Sequence, residues 1–522
     1  MKGVMDMKLL ISLGKPLARR RWPLAILAIV AVGVLAGGLL FAFAGSPVVA
    51  APPAGATITY NLFATDGYVA LPDGRAIYNY GFVGGRAGVP LTYAKSVTPS
   101  GADSATGAYD SFTYNGNGTI AGGAPTPTPG AIVGDEAALA GNAQWPAPLI
   151  YATVGDVVQI RFKNLGVSAN PAAPNDPHSI HLHGLDVNAA NDGVPETSVG
   201  AVPANAVDDA DKPIPGAGNV IVYMFSPQGP GTYMYHCHQE ADIHVQMGMY
   251  GALVIYNKGD AAAKTGPGAN KGGKLFGWDY DKDYVLLLTE VDTRQHGAED
   301  GIFDGDFEGT EYNPVNYHPQ YWQINGLSFP NTIHVGLPGA SGWADWIAAH
   351  PGYDPFVTGS VSRPHSPPGN PKGDRVLLRM INMGFETQPM HMHGFHAKVI
   401  GSDQRGWPWA NTPKWGEGQE KQTLTIGSGE TYEWLLNLGQ QSVTSTYPAE
   451  TQTRYDANGN PVANTQTSAS VIDSYIGGPV VSGASGLPTP GQLFPMHNHD
   501  DYKATNNGVY PGGMFTIIET LP

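Results

Sequence analysis

A single cysteine, Cys237, serves the whole 522-residue chain. An intrachain disulfide is therefore excluded, and with it any disulfide-stapled scaffold. Charge is sparse as well, at 14% of residues, and leans acidic to a net −16. No basic stripe follows the N-terminus, so nucleic acid is not an expected partner. Few charges beside 69 Gly and 44 Pro disfavour a helical protein and favour short strands joined by many turns. A chain of this length is expected to form two or three domains.

The N-terminus carries the signature of export. Lys15, Arg19, Arg20 and Arg21 precede the apolar run "WPLAILAIVAVGVLAGGLLFAFAG", and "SPVVAAPP" follows, with Val48 and Ala50 placed for cleavage after Ala50. The run also matches the roughly 20 residues that span a bilayer. Residues 1–50 are thus a signal peptide or an N-terminal membrane anchor. Either places the body in the periplasm, outside the cell or on its surface. A lone thiol in such an oxidising space is a liability unless something, such as a metal, occupies it.

Past Ala51 the text is written in strands and turns, and it repeats. "VGDVVQIRFKNLG" (154–166) is echoed by "KGDRVLLRMINMG" (372–384). Each copy leads into a histidine motif, "PHSIHLHGLDV" and "QPMHMHGFHAKVI". "NVIVYMFSPQG" is echoed by "GETYEWLLNLG", and "MGMYGALVIY" by "VYPGGMFTIIE". Two similar all-β domains follow from this internal repeat, 51–257 and 258–522, with the boundary in the Gly/Lys/Ala-rich stretch 258–282. Residues 97–131 and 440–491 are expected as irregular excursions.

The histidines cluster in four motifs: His178-x-x-His181-x-His183-Gly, His236-Cys237-His238 with His244, His391-x-His393-Gly with His396, and His497-x-His499. In a strand, residues i and i+2 share a face and i+1 takes the other. Each His-x-His therefore offers two imidazoles to one side, and four pairs offer eight, enough for several copper ions. Cys237 faces opposite to its two neighbours, so one strand touches two metal sites. A blue-copper centre needs two His, one Cys and a weak axial ligand, often Met. Cys237, His244 and His178 fit, with Met249 preferred to Met247 as the axial group.

Together these motifs resemble the multicopper oxidases, and the resemblance covers most of the chain after residue 51. It implies an all-β fold of two cupredoxin-like Greek-key β-sandwich domains with long loop insertions. It also implies four coppers per functional unit: one type 1, one type 2 and two type 3. His178, Cys237, His244 and Met249 resemble the type 1 ligands. His181 and His391 resemble the type 2 ligands, and His183, His236, His238, His393, His497 and His499 the type 3 ligands. Asp192, in "NDGVPE", resembles the family's proton-relay aspartate; the alternative is a turn residue. The implied reaction joins one-electron oxidation of a phenol, an aromatic amine or a low-valent metal ion to reduction of O2 to water.

Two departures stand out. The usual H-C-H-x3-H is here H-C-H-x5-H, "HCHQEADIH". The second domain has Gln388 where its echo of His178 falls, and no H-C-H, so it should hold no type 1 copper. This order resembles the two-domain members, which implies a homotrimer with trinuclear sites between subunits; the alternative is a site closed within one chain. The alternatives are a copper-containing nitrite reductase, which would leave histidine pairs unused, and a non-enzymatic exported copper-binding or electron-transfer protein. The six carboxylates of 299–312 read first as a solvated loop. Glu240 and Asp242 likewise read as solvated loop acids. Met383, Met390 and Met392 read as core. His396 reads as structural, and His296, His318, His334, His350 and His365 as core or surface residues.

Overall fold

The computed structural model describes residues 56–521, apart from 131, 261–265, 269–271, 303–311, 313, 336, 338, 340–341, 362–372, 408–418, 439–453, 464–466 and 477–491. The expected export segment, 1–50, lies outside the described residues. So do His365 and most of the acidic stretch 299–312. Residues Pro53–Pro522 form one compact unit. Among the described residues no helix is long and apolar enough to cross a membrane.

The chain is two β-sandwiches in succession. The first draws on β1 (Thr57–Ala70), β2 (Ala76–Arg86), β3 (Ile150–Thr153), β4 (Val157–Asn164), β5 (His181–His183), β6 (Val220–Phe225), β7 (Gly231–His236) and β8 (Tyr250–Tyr256). One sheet runs β6–β4–β1–β2 and the facing sheet β3–β8–β7–β5. The second draws on β9 (Lys282–Val291), β10 (Tyr321–Ile324), β11 (Val357–Ser360), β12 (Arg375–Asn382), β13 (Gln388–Met392), β14 (Ala397–Ser402), β15 (Thr423–Ile426), β16 (Thr431–Asn437), β17 (Gln492–Asn498) and β18 (Phe515–Leu521). Its sheets run β10–β9–β12–β16–β14 and β11–β18–β17–β13–β15. The pairing repeats: β1 lies parallel to β4 as β9 does to β12, and β3 lies parallel to β8 as β11 does to β18. The repeated pairing is what the internal echoes imply, and the cupredoxin-like sandwich is what the resemblance implies. Alternating residues of each strand fill the space between sheets. Phe82, Phe162, Tyr235 and Leu253 do so in the first sandwich, and Leu378, Trp434, Met390 and Ile518 in the second. Met383, Met390 and Met392 are all buried.

The seam between the sandwiches has its own core, with Trp145, Met234, Tyr250, Leu287, Tyr353 and Ile381. Polar groups cross it. Trp145 Nε1 donates to Gln323 Oε1 at 2.9 Å, and Thr232 N donates to Glu433 Oε1 at 3.1 Å. Buried Arg379 pairs with Asp283 at 2.9 Å and stacks over Tyr256 of the first sandwich.

The two expected excursions turn out differently. Residues 97–131 hold three short strands. Thr98–Asp103 and Ala108–Thr113 form a hairpin that extends the first sheet, and Asn117–Ile120 pairs with Leu91–Ala94. Tyr109, Phe112 and Thr113 are strand formers that the Gly/Ser/Thr-rich composition hides. The hairpin closes at Gly107 (φ +74°), where a Cβ would lie 2.4 Å from Thr293 O. Of 440–491, the described part includes the helix Ser468–Ile476, whose Ala469, Ile472 and Ile476 pack on Leu493, Phe329 and Ile517 of the second sandwich.

Candidate copper centres

Cys237 leaves the end of β7 with its side chain fully buried in the first sandwich. Its Sγ stands 3.7 Å from His178 Nδ1 and 3.5 Å from His244 Nδ1. For one ion bonded to nitrogen and sulfur at about 2.0 and 2.3 Å in a trigonal plane, these edges would be about 3.7 Å. The donor set and its spacing therefore fit a copper thiolate. Burial holds His178 well below the ordinary imidazole pKa, so it is a neutral donor. Met249 is buried beside them, and its carbonyl accepts from Cys237 N at 3.0 Å. Met247 is equally buried.

The two surplus residues of "HCHQEADIH" build a helical turn. Glu240 takes a left-handed conformation (φ 41°) and opens the helix Ala241–His244, which brings His244 back over the thiol. The outer edge of that ring meets acid. Asp176 Oδ2 is 3.9 Å from His244 Nε2, ion-pair range but beyond a hydrogen bond. Glu240 and Asp176 offer oxygens within 4.8 Å of that imidazole and of each other. Burial depresses His244, but Asp176 and the thiol outweigh it and lift the ring to about 10. Half-buried Glu299, raised chiefly by burial, accepts from Tyr80 OH at 3.3 Å nearby. Asp176 had no motif to flag it, and Glu299 opens the acidic stretch 299–312 read above as a solvated loop; the fold brings both here.

On the other face of the same strand four histidines gather. His181 stands directly opposite His236 across the β5–β7 pair. Ring centroids are 5.0 Å apart for His181–His236, 5.2 Å for His181–His238 and 5.7 Å for His183–His236. Second contacts orient the rings. His236 Nδ1 lies 2.8 Å from Cys237 O, and His181 Nδ1 lies 2.8 Å from Asp192 O, so each ring turns its Nε2 to the cluster, where His236 Nε2 lies 3.5 Å from His183 Nδ1. Asp192 Oδ1 is also 3.3 Å from His181 Nδ1. Gly193 (φ +73°) lets that loop close in, because a Cβ there would sit 2.1 Å from Ile180 O. Burial pulls His236 down to about 3 and lowers His183.

The second sandwich repeats the arrangement. His391 faces His497 across β13–β17. Centroids are 4.8 Å apart for His391–His393, 5.0 Å for His391–His499 and 5.2 Å for His393–His497. His497 Nδ1 meets Asn498 O at 2.7 Å, as His236 meets Cys237 O, while His391 Nδ1 meets Thr423 Oγ1 at 2.9 Å. Burial lowers His391, His393 and His497. This quartet is more open: His393 and His499 are exposed. Among the described residues, no ring of one quartet is in aromatic contact with a ring of the other. His396 is exposed and joins neither set, His296 and His350 are buried in the core, His334 pairs with Asp354 at 3.0 Å, and His318 is exposed.

Comparison with known proteins places this pattern. The multicopper oxidase family model matches residues 124–259 and 358–440, the segments that carry the first three histidine motifs. Over these two segments, about two fifths of the chain, the sequence is that of the multicopper oxidases. Copper is the metal the family implies. Relatives include copper resistance protein A of Pseudomonas syringae pv. tomato, 31% identical over 29% of this chain and 19% of that protein. Multicopper oxidase MmcO of Mycobacterium tuberculosis is 25% identical over 56% of this chain and 46% of that protein. Ceruloplasmin of Rattus norvegicus is 26% identical over 49% of this chain and 20% of that protein. The chain thus spans less than half the length of each. Among solved structures, the blue copper oxidase from Nitrosomonas europaea aligns at TM-score 0.47 and 19% identity, over 89% of this chain and 86% of that one.

Proposed function

We propose that this chain is an oxidase that couples one-electron oxidation of a donor to four-electron reduction of dioxygen to water. The observation that carries this reading is a buried thiol–imidazole site on one face of β7 and a histidine quartet on the other, with a second quartet in the second sandwich. His178, Cys237, His244 and Met249 would hold one copper. His181 and His391 would hold a second; His183, His236, His238, His393, His497 and His499 would hold two more. Copper in these places supplies one-electron exchange at the thiolate and four-electron chemistry with O2 at the cluster.

The residues do the rest. Cys237 is peptide-bonded to His236 and His238, so the donor side and the oxygen side are one residue apart along the backbone. Burial keeps His183 and His236 of the first quartet unprotonated and available as ligands. Asp192 holds the His181 tautomer through its carbonyl, and its carboxylate is placed to hold and release a proton beside the cluster. At the donor side, the acidic rim of Asp176, Glu240 and Glu299 beside His244 favours cationic donors, low-valent metal ions above all, over anionic ones.

The two quartets keep to their own sandwiches, and the second is open. This supports a homotrimer whose trinuclear sites close between subunits, a heterologous ring interface. The domain limits 51–257 and 258–522 belong to the same reading, as does export by residues 1–50, whether cleaved or kept as an anchor.

The test is copper per chain together with oxygen uptake on a panel of a phenol, an aromatic amine, Mn(II), Fe(II) and Cu(I). Four coppers and donor-dependent uptake are expected. Full copper with no uptake on any donor overturns the oxidase; two coppers with nitrite turnover point to a nitrite reductase, and one with no turnover to a carrier.

A further inference from the structure

The second sandwich keeps the frame of the thiolate site but fills it with amides. His181 faces His236 as His391 faces His497. Counting from those pairs, Gln388 stands where His178 does and Asn498 where Cys237 does. Cys237 N donates to Met249 O at 3.0 Å, and Asn498 N donates to Met514 O at 2.9 Å, so Met514 takes the place of Met249. Gln388, Asn498 and Met514 are all fully buried.

These groups form a closed network. Asn498 Nδ2 donates to Gln388 Oε1 at 2.6 Å and lies 3.6 Å from Met514 Sδ. Asp500 N donates to Asn498 Oδ1 at 2.9 Å. Gln388 Nε2 donates to Glu290 Oε2 at 2.8 Å. Glu290 is buried on β9, and its other oxygen accepts from Tyr317 OH at 2.9 Å, from Glu386 N at 3.0 Å and from Phe385 N. The strand registers put Glu290 at the position of Asp66 in the first sandwich. Asp66 also caps the loop after its central strand, accepting from Ser168, Ala169 and Asn170 N. The longer glutamate adds a contact that Asp66 lacks, the one to Gln388.

The network sits directly behind the second quartet. Asn498 lies between His497 and His499, its carbonyl meets His497 Nδ1 at 2.7 Å, and His499 N donates to Pro389 O, next to Gln388, at 2.7 Å. A shift of the Asn498 peptide would move both rings.

We propose that Glu290, Gln388 and Asn498 are positioning residues for the second histidine quartet, clamping β17 to β13 by hydrogen bonds where the first sandwich uses a metal thiolate. This rests on the reading that both quartets hold copper. Positioning groups behind metal ligands are worth about 10–100-fold in metal affinity.

The experiment compares copper-loaded wild type, Gln388→Met and Glu290→Gln by the blue absorption band, by the EPR-silent coupled copper, and by loss of each to a competing chelator. Gln388→Met, similar in volume but unable to bridge Asn498 to Glu290, should keep the blue band. It should release the EPR-silent copper about 10–100-fold more readily. Glu290→Gln can still accept from Gln388, but its NH2 then faces the Phe385 and Glu386 N–H groups, so it should release that copper less readily than Gln388→Met and more readily than wild type. Should Gln388→Met fail to fold, Asn498→Ser carries the same expectation. EPR-silent copper held as tightly in the loss variant as in wild type overturns the positioning role. A wild type with no EPR-silent copper instead overturns the function on which the role rests.

Discussion

The two sandwiches share register, strand order and a His-x-His pair on each of two adjacent strands, yet they differ at the residue between one pair. In the first sandwich that residue is Cys237, facing two imidazoles at 3.5 and 3.7 Å. In the second it is Asn498, hydrogen-bonded to Gln388 at 2.6 Å. One frame thus carries either a thiol–imidazole site or an amide network, while the outward histidines stay in place. On the proposed function, the inward face of the strand decides whether the domain takes up an electron, and the outward face whether it helps hold an oxygen-reducing cluster.

The sharpest break of this comparison is Cys237→Ser. A hydroxyl in place of the thiol is a poor copper ligand, so the blue band and donor oxidation should vanish, while copper bound by the quartets stays near its wild-type level. Retained donor turnover would show that electrons enter elsewhere. Next comes Asp192→Asn, which keeps the backbone carbonyl that orients His181 but removes the carboxylate 3.3 Å from its Nδ1. Steady-state turnover should fall about 100-fold or more, with copper content unchanged. A variant as fast as wild type across the pH range would reduce Asp192 to its orienting carbonyl. A smaller effect tests the counterpart in the second sandwich, where His391 leans on the hydroxyl of Thr423. Thr423→Val should weaken cluster copper about 10-fold in chelator competition and leave the blue band alone. Loss of the blue band instead would mean that the quartets and the thiolate site are not separable.

Much of this was legible in the sequence, because period two is a strong code. A His-x-His pair in a strand points two rings one way whatever the rest of the fold does, and both quartets form from the pairs the spacing picks out. The echo of "VGDVVQIRFKNLG" in "KGDRVLLRMINMG" likewise falls on matching central strands, β4 and β12. What spacing could not supply was contact between distant segments. Asp176 and Glu299 reach His244 through loops more than 50 residues away in the chain. The strands at 98–120 hid behind Gly- and Ser-rich composition. The Gln388 lock was half visible: its place as the echo of His178 showed that a ligand was missing, but not that Glu290, about 100 residues earlier, would complete the replacement. Glu290 was findable in principle, since it and Asp66 hold equivalent places in the repeat.

The smallest predicted effect concerns the proton on that lock. Burial raises Glu290 from 4.5 to about 7, with the neighbouring Glu386 carboxylate adding to it and the Phe385, Glu386 and Tyr317 hydrogen bonds opposing it. Glu386 is itself paired with Lys503 at 3.1 Å. Tyr317 has one hydroxyl hydrogen and faces two acceptors, Glu290 Oε1 at 2.9 Å and Gln246 Oε1 at 3.0 Å, and Gln246 is oriented by its Nε2 bond to Glu290 O at 3.1 Å. Between pH 4.5 and about 7 the folded chain then binds a proton that the unfolded chain has released, so stability is greatest below the unfolded value and declines as pH rises through the folded one. Glu433, also raised to about 7 by burial, adds a slope of the same sign. Glu290→Gln should therefore flatten, not abolish, the decline, by on the order of 2 kcal/mol over that window. Urea unfolding of the copper-free protein at pH 5 and pH 7.5 measures it. Parallel wild-type and variant curves would mean that Glu290 is ionised in the fold.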